Sequence, residues 1–144
     1  RLTFTVQQEV ADRLLAGPGS GAYGPISVLV ALLARARPGP AAPPAAFWPR
    51  PKVASRMVRM DYEPAAAERV ADLDALHTVL RAAFAQRRKQ IGSLRKRGDA
   101  PAPGPALEAA FAAAGIDPAD RPQAVPPERY RALAAALAGR SGPA

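Results

Sequence analysis

The chain contains no cysteine, which excludes a disulfide framework and thiolate chemistry and fits a reducing compartment. It has a single histidine. One histidine without cysteine cannot build a zinc site of the usual kind, so no metal is expected. That residue, His77, falls within a helical pattern and reads as a surface or half-buried side chain rather than a base or ligand. No apolar run reaches the roughly 18 residues of a membrane span, and the start lacks the charged-then-apolar pattern of a signal peptide. A cytoplasmic protein that does not enter a membrane is the expectation. The G-x-G-x-x-G spacing occurs only at Gly19 to Gly24, where it does not follow a strand pattern, and no phosphate-loop glycine pattern occurs. Gly17-Pro18-Gly19-Ser20-Gly21 is glycine-rich but follows a helical pattern, so it reads as a turn. The carboxylates are scattered, mostly at predicted helix starts and in linkers, where dipole and solvation account for them. No catalytic constellation is visible.

Acid is the scarce charge. The formal net charge over 144 residues is +8, a balance that favours anionic partners, nucleic acid first among them. The composition is also inflated in alanine and proline, as a high-GC coding sequence would make it, and the same bias inflates arginine. Where the charge sits therefore matters more than its sum. The sequence opens on Arg1, and Leu2 already begins a strand pattern. The expectation is a piece of a longer protein, the alternative being a processed N-terminus.

Leu2, Phe4 and Val6 alternate with Thr3, Thr5 and Gln7, as in a strand with one face more deeply buried. A short helix is predicted from Gln8 to Ala16, stopped by Gly17-Pro18-Gly19. Pro25 suits the first turn of the next helix, where its missing N–H costs nothing, and Ile26, Leu29, Val30 and Leu33 fall on one face. Residues 37–52 are dense in proline, which forbids helix and a central strand, so an extended rigid loop is predicted. Val53 to Tyr62 reads as a strand. The C-terminal third reads as three helices: Leu73 to Phe84 capped by Asp72, one carrying Leu107, Ala110, Phe111 and Ala114 and ending at Gly115, and one from Pro127 to Gly139. Strands confined to the first 62 residues, with helices after, make an α/β part followed by an all-α part. Two clear strands are too few for an independent sheet, and the first would expose an unpaired edge unless others lie beside it. The predicted division is 1–62, a linker over 63–72, and a helical domain over 73–144.

Two segments carry the candidate chemistry. Ala46-Phe47-Trp48-Pro49-Arg50-Pro51-Lys52-Val53 sets two aromatics in a proline-stiffened loop. Such a loop can present a ring to a flipped base, with stacking worth about 1–3 kcal/mol, and Arg50 and Lys52 would touch phosphate. The structural alternative is a loop that pins Phe47 into the core, which composition alone favours. The second segment contains Arg81, Arg87, Arg88, Lys89, Arg95, Lys96 and Arg97 without an acid among them. A solvated helix usually mixes signs. Seven like charges repel unless an anion is bound, so phosphate contact is predicted for all seven.

These residues resemble a known family, the KsgA-type small-subunit ribosomal RNA adenine N6-dimethyltransferases. Phe4-Thr-Val-Gln-Gln-Glu-Val-Ala-Asp-Arg-Leu14 is similar to the strand and helix after that family's catalytic loop. Ala46-Phe-Trp-Pro-Arg-Pro-Lys-Val53 with Ser55 is similar to its F-x-P-x-P-K-V-x-S motif, and Ala83-Phe-Ala-Gln-Arg-Arg-Lys89 to its F-x-Q-R-R-K motif. The likeness runs in order over almost the whole chain. It implies the C-terminal end of a Rossmann-like methyltransferase sheet plus a small helical domain. It implies that the intact protein transfers methyl groups from S-adenosylmethionine to two adjacent adenines of a small-subunit rRNA hairpin, with a role in small-subunit biogenesis on a pre-30S-like particle, and that it is a monomer. Phe47 would lie beside the flipped adenine, and Arg87, Arg88 and Lys89 would meet rRNA.

The departures also have consequences. The glycine-rich donor motif and N-L-P-Y loop that should precede this segment are not in it, so the chain by itself is expected to be inactive, with the S-adenosylmethionine site outside it. Gln8 stands where lysine is usual and Ala54 where aspartate is common. Arg35 to Pro44 is Pro/Ala-rich where a β-branched strand is usual, so a weak or missing strand is expected. The other readings are a non-catalytic RNA-binding ribosome-assembly protein and the related large-subunit rRNA methyltransferases, against which the Q-R-R-K motif speaks.

Overall fold

A computed structural model describes residues 1–139; Arg140 to Ala144, the end of the predicted helical domain, lie outside the described residues. Strand β1 (Leu2–Gln7) pairs antiparallel with β3 (Ser55–Tyr62), setting Leu2 opposite Met60, Phe4 opposite Val58 and Val6 opposite Arg56. These positions share one face. Its centre, Val58, is fully buried. The second neighbour of β3 is β2 (Ala34–Ala42), so the order is β1-β3-β2. The expected proline-rich loop is thus a strand over its first part, and the strand expected to be weak or missing is present. The physical reason is position: β2 lies at the sheet edge, where a residue without an N–H is tolerated. Its register slips between Pro38 and Ala41, so Pro40 falls in an irregularity rather than the ladder.

Helix α1 (Gln8–Leu15) follows β1 directly, with the Gln8 N–H donating to the Ala54 carbonyl at 2.9 Å. Helix α2 (Pro25–Leu33) starts on the expected proline but buries a different face. Ser27, Val28, Val30 and Leu32 are its buried residues, while Ile26 is 44% exposed. Apolar on nearly every side, the helix has no polar stripe to mark its outside. Buried Ser27 is satisfied: its hydroxyl accepts from the Gly24 N–H at 3.0 Å and donates to the Arg13 carbonyl at 2.5 Å.

A short helix α3 (Pro64–Ala67) occupies the predicted linker. Helix α4 (Leu73–Phe84) is capped by Asp72, whose Oδ1 accepts from the Ala75 N–H at 2.8 Å. Helix α5 (Gly104–Ala114) buries the four expected residues and ends at Gly115, whose φ of 66° is the left-handed conformation glycine tolerates best. Helix α6 (Pro127–Ala138) supplies Tyr130, Leu133 and Leu137. The core of α4, α5 and α6 also takes in Tyr23, Val28 and Leu32 from the N-terminal part. His77 is exposed, and no helix among the described residues is long and apolar enough to cross a membrane.

Candidate nucleic-acid interface

The Phe47 loop leaves β2 through a 3-10 turn at Pro44–Ala46, closed by Ala46 N–H to the Pro43 carbonyl at 2.9 Å. It comes back beside the paired ends of β1 and β3, where Gln7 faces Ser55. There an open trough of 420 Å³ is lined by Thr5, Gln7, Phe47, Trp48, Val53 and Ser55, among others. Phe47 is 38% exposed and outside the main core, and Trp48 is 96% exposed. The loop therefore presents its aromatics rather than pinning Phe47 inside, against what composition alone favours. Arg50 and Lys52 are exposed, with no side-chain hydrogen bond or ion pair among the described residues.

The basic segment is not one helix. α4 ends at Phe84, Gln86 to Lys89 form a turn in which the Lys89 N–H reaches the Gln86 carbonyl at 2.8 Å, and a 3-10 turn covers Ile91–Lys96. Three of the seven cations are engaged within the fold. The Arg87 guanidinium donates to the carbonyls of Gly21 (2.8 Å) and Tyr23 (3.5 Å) and to Gln123 Oε1 (3.4 Å). Arg95 donates to the Gly92 carbonyl at 3.1 Å and pairs with Glu108 at 3.1 Å. Arg97 donates to the Ala82 carbonyl at 2.8 Å and donates two bonds to the Asp99 carboxylate, which these bonds hold below the usual carboxylate range. Asp99 and Glu108 lie outside the run, so a count of charges within it could not find them. Arg81, Arg88, Lys89 and Lys96 are exposed, and none has a side-chain partner among the described residues.

Sequence reasoning did not find the turn at 17–24 as a fastening. Besides Arg87, it is held by the Gly19 N–H on the Gln123 carbonyl at 2.7 Å and the Tyr23 hydroxyl on the Val125 carbonyl at 3.0 Å. Phe84 stacks edge-on to Tyr23 at 6.0 Å and leans on Tyr130 at 5.7 Å. Burial pushes the Tyr23 hydroxyl above the ordinary tyrosine range, with Glu128 adding to it. The Tyr130 hydroxyl, which donates to the Pro122 carbonyl at 2.7 Å, is raised chiefly by burial as well. The only available signals were an isolated tyrosine in a glycine turn and one cation of seven, and neither names its partner.

Two of the other concavities lie beside the N-terminal elements. One of 460 Å³ lies between α1, the 17–24 turn and the end of α4, and includes the acids Glu9 and Asp12. The other, 340 Å³ and almost wholly apolar, runs along Leu2, Ile26, Leu29, Leu33, Met60 and Tyr62, beside the β1 edge that has no strand neighbour among the described residues. No group of three or more metal-ligating side chains occurs among the described residues.

Residues 1–135 match the family model described as ribosomal RNA adenine dimethylase. The "Ribosomal RNA small subunit methyltransferase A" of Phenylobacterium zucineum is 46% identical over 146 residues, covering 99% of this chain and 48% of that protein. The protein of the same name from Rhodospirillum rubrum is 42% identical, with 95% and 45% covered. The chain thus spans about half the length of the curated relatives it matches. Among solved structures, a dimethyladenosine transferase from Plasmodium falciparum superposes with a TM-score of 0.80 at 18% identity, over 91% of this chain and 54% of that one. The 23S rRNA methyltransferase ErmE gives 0.53 at 25% identity, over 94% and 54%.

Proposed function

Because the chain belongs to the ribosomal RNA adenine dimethylase family, we propose that its whole protein dimethylates two adjacent adenines of a small-subunit rRNA hairpin, with S-adenosylmethionine as donor, during small-subunit biogenesis. In this reading residues 1–62 are the end of the methyltransferase domain, 63–72 the linker, and the helices beyond it the rRNA-contacting part. The observation that carries it is Phe47. Its ring sits at the rim of an open trough beside the β1–β3 strand ends, exposed enough to stack and backed by proline-restrained backbone. Arg50 and Lys52 next to it are free to meet phosphate.

S-adenosylmethionine supplies the methyl group when bound. The described residues do not fit a pocket for it: their glycine-rich turn follows a helix and is fastened to Arg87 and Gln123. Donor capture is therefore assigned to the length of the relatives that this chain does not span. The apolar groove along Leu2, Ile26 and Met60 and the free side of β1 suit packing against that same length. The residues on hand do the other half of the work. Phe47 holds a flipped base by stacking and excludes water from one of its faces, and the exposed cations fix the register of the strand.

The test is methylation of small-subunit rRNA by the full-length protein and its Phe47→Ala variant. Loss of stacking should lower turnover roughly tenfold or more while RNA affinity falls less, since the base is held where reaction occurs. Equal loss in both would make Phe47 structural. Donor-independent RNA binding with no methylation would favour the assembly-protein alternative.

A further inference from the structure

We propose that Trp48 is a second stacking platform, taking an unpaired nucleotide of single-stranded RNA next to the base held at Phe47. The proposal rests on the RNA-binding reading above and adds a residue to it. At 96% exposure Trp48 leaves nearly its whole indole in water, although large aromatics gain most from burial. The ring is not on a slack tip. Pro49 and Pro51 fix φ on its C-terminal side, and on the other side Phe47 N–H bonds back to the Pro44 carbonyl at 3.3 Å. An aromatic presented on stiff backbone loses little freedom when a ligand stacks on it.

Charge selects the ligand. No aspartate or glutamate occurs between Asp12 and Asp61, and Arg50 and Lys52, two and four residues on, are exposed and unpaired among the described residues. A flat apolar face with two free cations close by in the chain suits a polyanion whose monomers each carry a π-face. An acidic peptide offers the charge without the stacking. Single-stranded rather than paired RNA follows, because bases in a duplex have no free face. Phe47 is in extended backbone (φ −121°, ψ 148°), which turns successive side chains apart. The two rings therefore offer separate faces to separate nucleotides.

The experiment uses the full-length protein as wild type, Trp48→Phe and Trp48→Ala, with a short single-stranded oligoadenylate as probe. Indole fluorescence at position 48 is isolated as the difference between wild type and Trp48→Phe, and binding is followed separately by anisotropy of end-labelled RNA. Expected are water-exposed, quencher-accessible emission in the free protein, quenching on RNA addition, and a roughly 5- to 100-fold weaker Kd for Trp48→Ala with Trp48→Phe between. The slope of log K against log salt should not change, since no phosphate contact is lost. RNA binding with no quenching, or with unaltered affinity in Trp48→Ala, overturns the platform while leaving the RNA reading intact. A shielded indole in the free protein overturns it too, by showing that polypeptide outside these residues covers the ring. If wild type binds neither the oligoadenylate nor small-subunit rRNA, both readings fall.

Discussion

Replacing Gly92 with alanine should destabilise the helical part by about 0.5–4 kcal/mol, as the balance of opposed terms predicts. The Ile91–Lys96 turn lies against the loop that follows α5 so closely that a Cβ at 92 would sit 2.8 Å from both Pro118 Cβ and Pro118 O. Neither side yields easily, because the Gly92 N–H bonds the Pro118 carbonyl at 2.9 Å and the Ile91 N–H bonds the Asp120 carbonyl at 2.7 Å. Overpacking of this kind costs about 1–3 kcal/mol, and a stretched hydrogen bond adds about 0.5–1.5. Against this, alanine narrows the unfolded ensemble, a gain of about 0.4–1 kcal/mol. Gly92 has no positive φ, so the penalty is contact alone. The internal control is Gly98, where an added Cβ meets nothing within 4 Å and φ is not left-handed; there only the gain should remain. Urea unfolding of the full-length protein followed by circular dichroism measures both, through the midpoint shift and slope. Equal midpoints for Gly92→Ala and Gly98→Ala would mean that the turn slides freely off Pro118, and the packing argument fails.

The motif Gln86-Arg87-Arg88-Lys89 should divide under mutation. Arg88→Ala and Lys89→Ala should each lower the salt slope of RNA binding by about one without shifting the melting temperature. Arg87→Ala should lower the melting temperature, because its guanidinium holds the Gly21 and Tyr23 carbonyls. Stability should also drain at alkaline pH. Burial raises the Tyr23 and Tyr130 hydroxyls above their ordinary value, so the native state keeps protons that the unfolded chain releases. The stabilisation is complete below about pH 10 and is lost as pH rises past it. Urea midpoints measured across that range should fall less steeply for Tyr23→Phe/Tyr130→Phe, even though the double variant starts lower for want of two buried hydrogen bonds. An unchanged slope would refute the assignment.

The elements whose edges are marked by local chemistry were legible in the sequence. Asp72 and Pro127 announce helix starts and Gly115 an end, each through backbone geometry that needs no partner. The face of α2 was not legible, because a segment reading Pro-Ile-Ser-Val-Leu-Val-Ala-Leu-Leu carries no polar stripe. Strand β2 was hidden because its prolines argue against a central strand, and only the sheet order reveals that it is an edge. At the candidate interface, Phe47 and the basic run were visible as residue types. The separation of Arg87, Arg95 and Arg97 from the freely exposed cations was not, since it depends on Asp99, Glu108 and carbonyls brought in by folding.

The fastening of the 17–24 turn has a metric consequence. Three sets of bonds, from Gly19, Tyr23 and Arg87, rivet the sheet-bearing half to the helices, so the aromatic trough and the basic turn keep a set spacing, like the jaws of a locked calliper. If RNA meets both, as proposed above, the distance between its two contact points is set by the fold and not by the RNA.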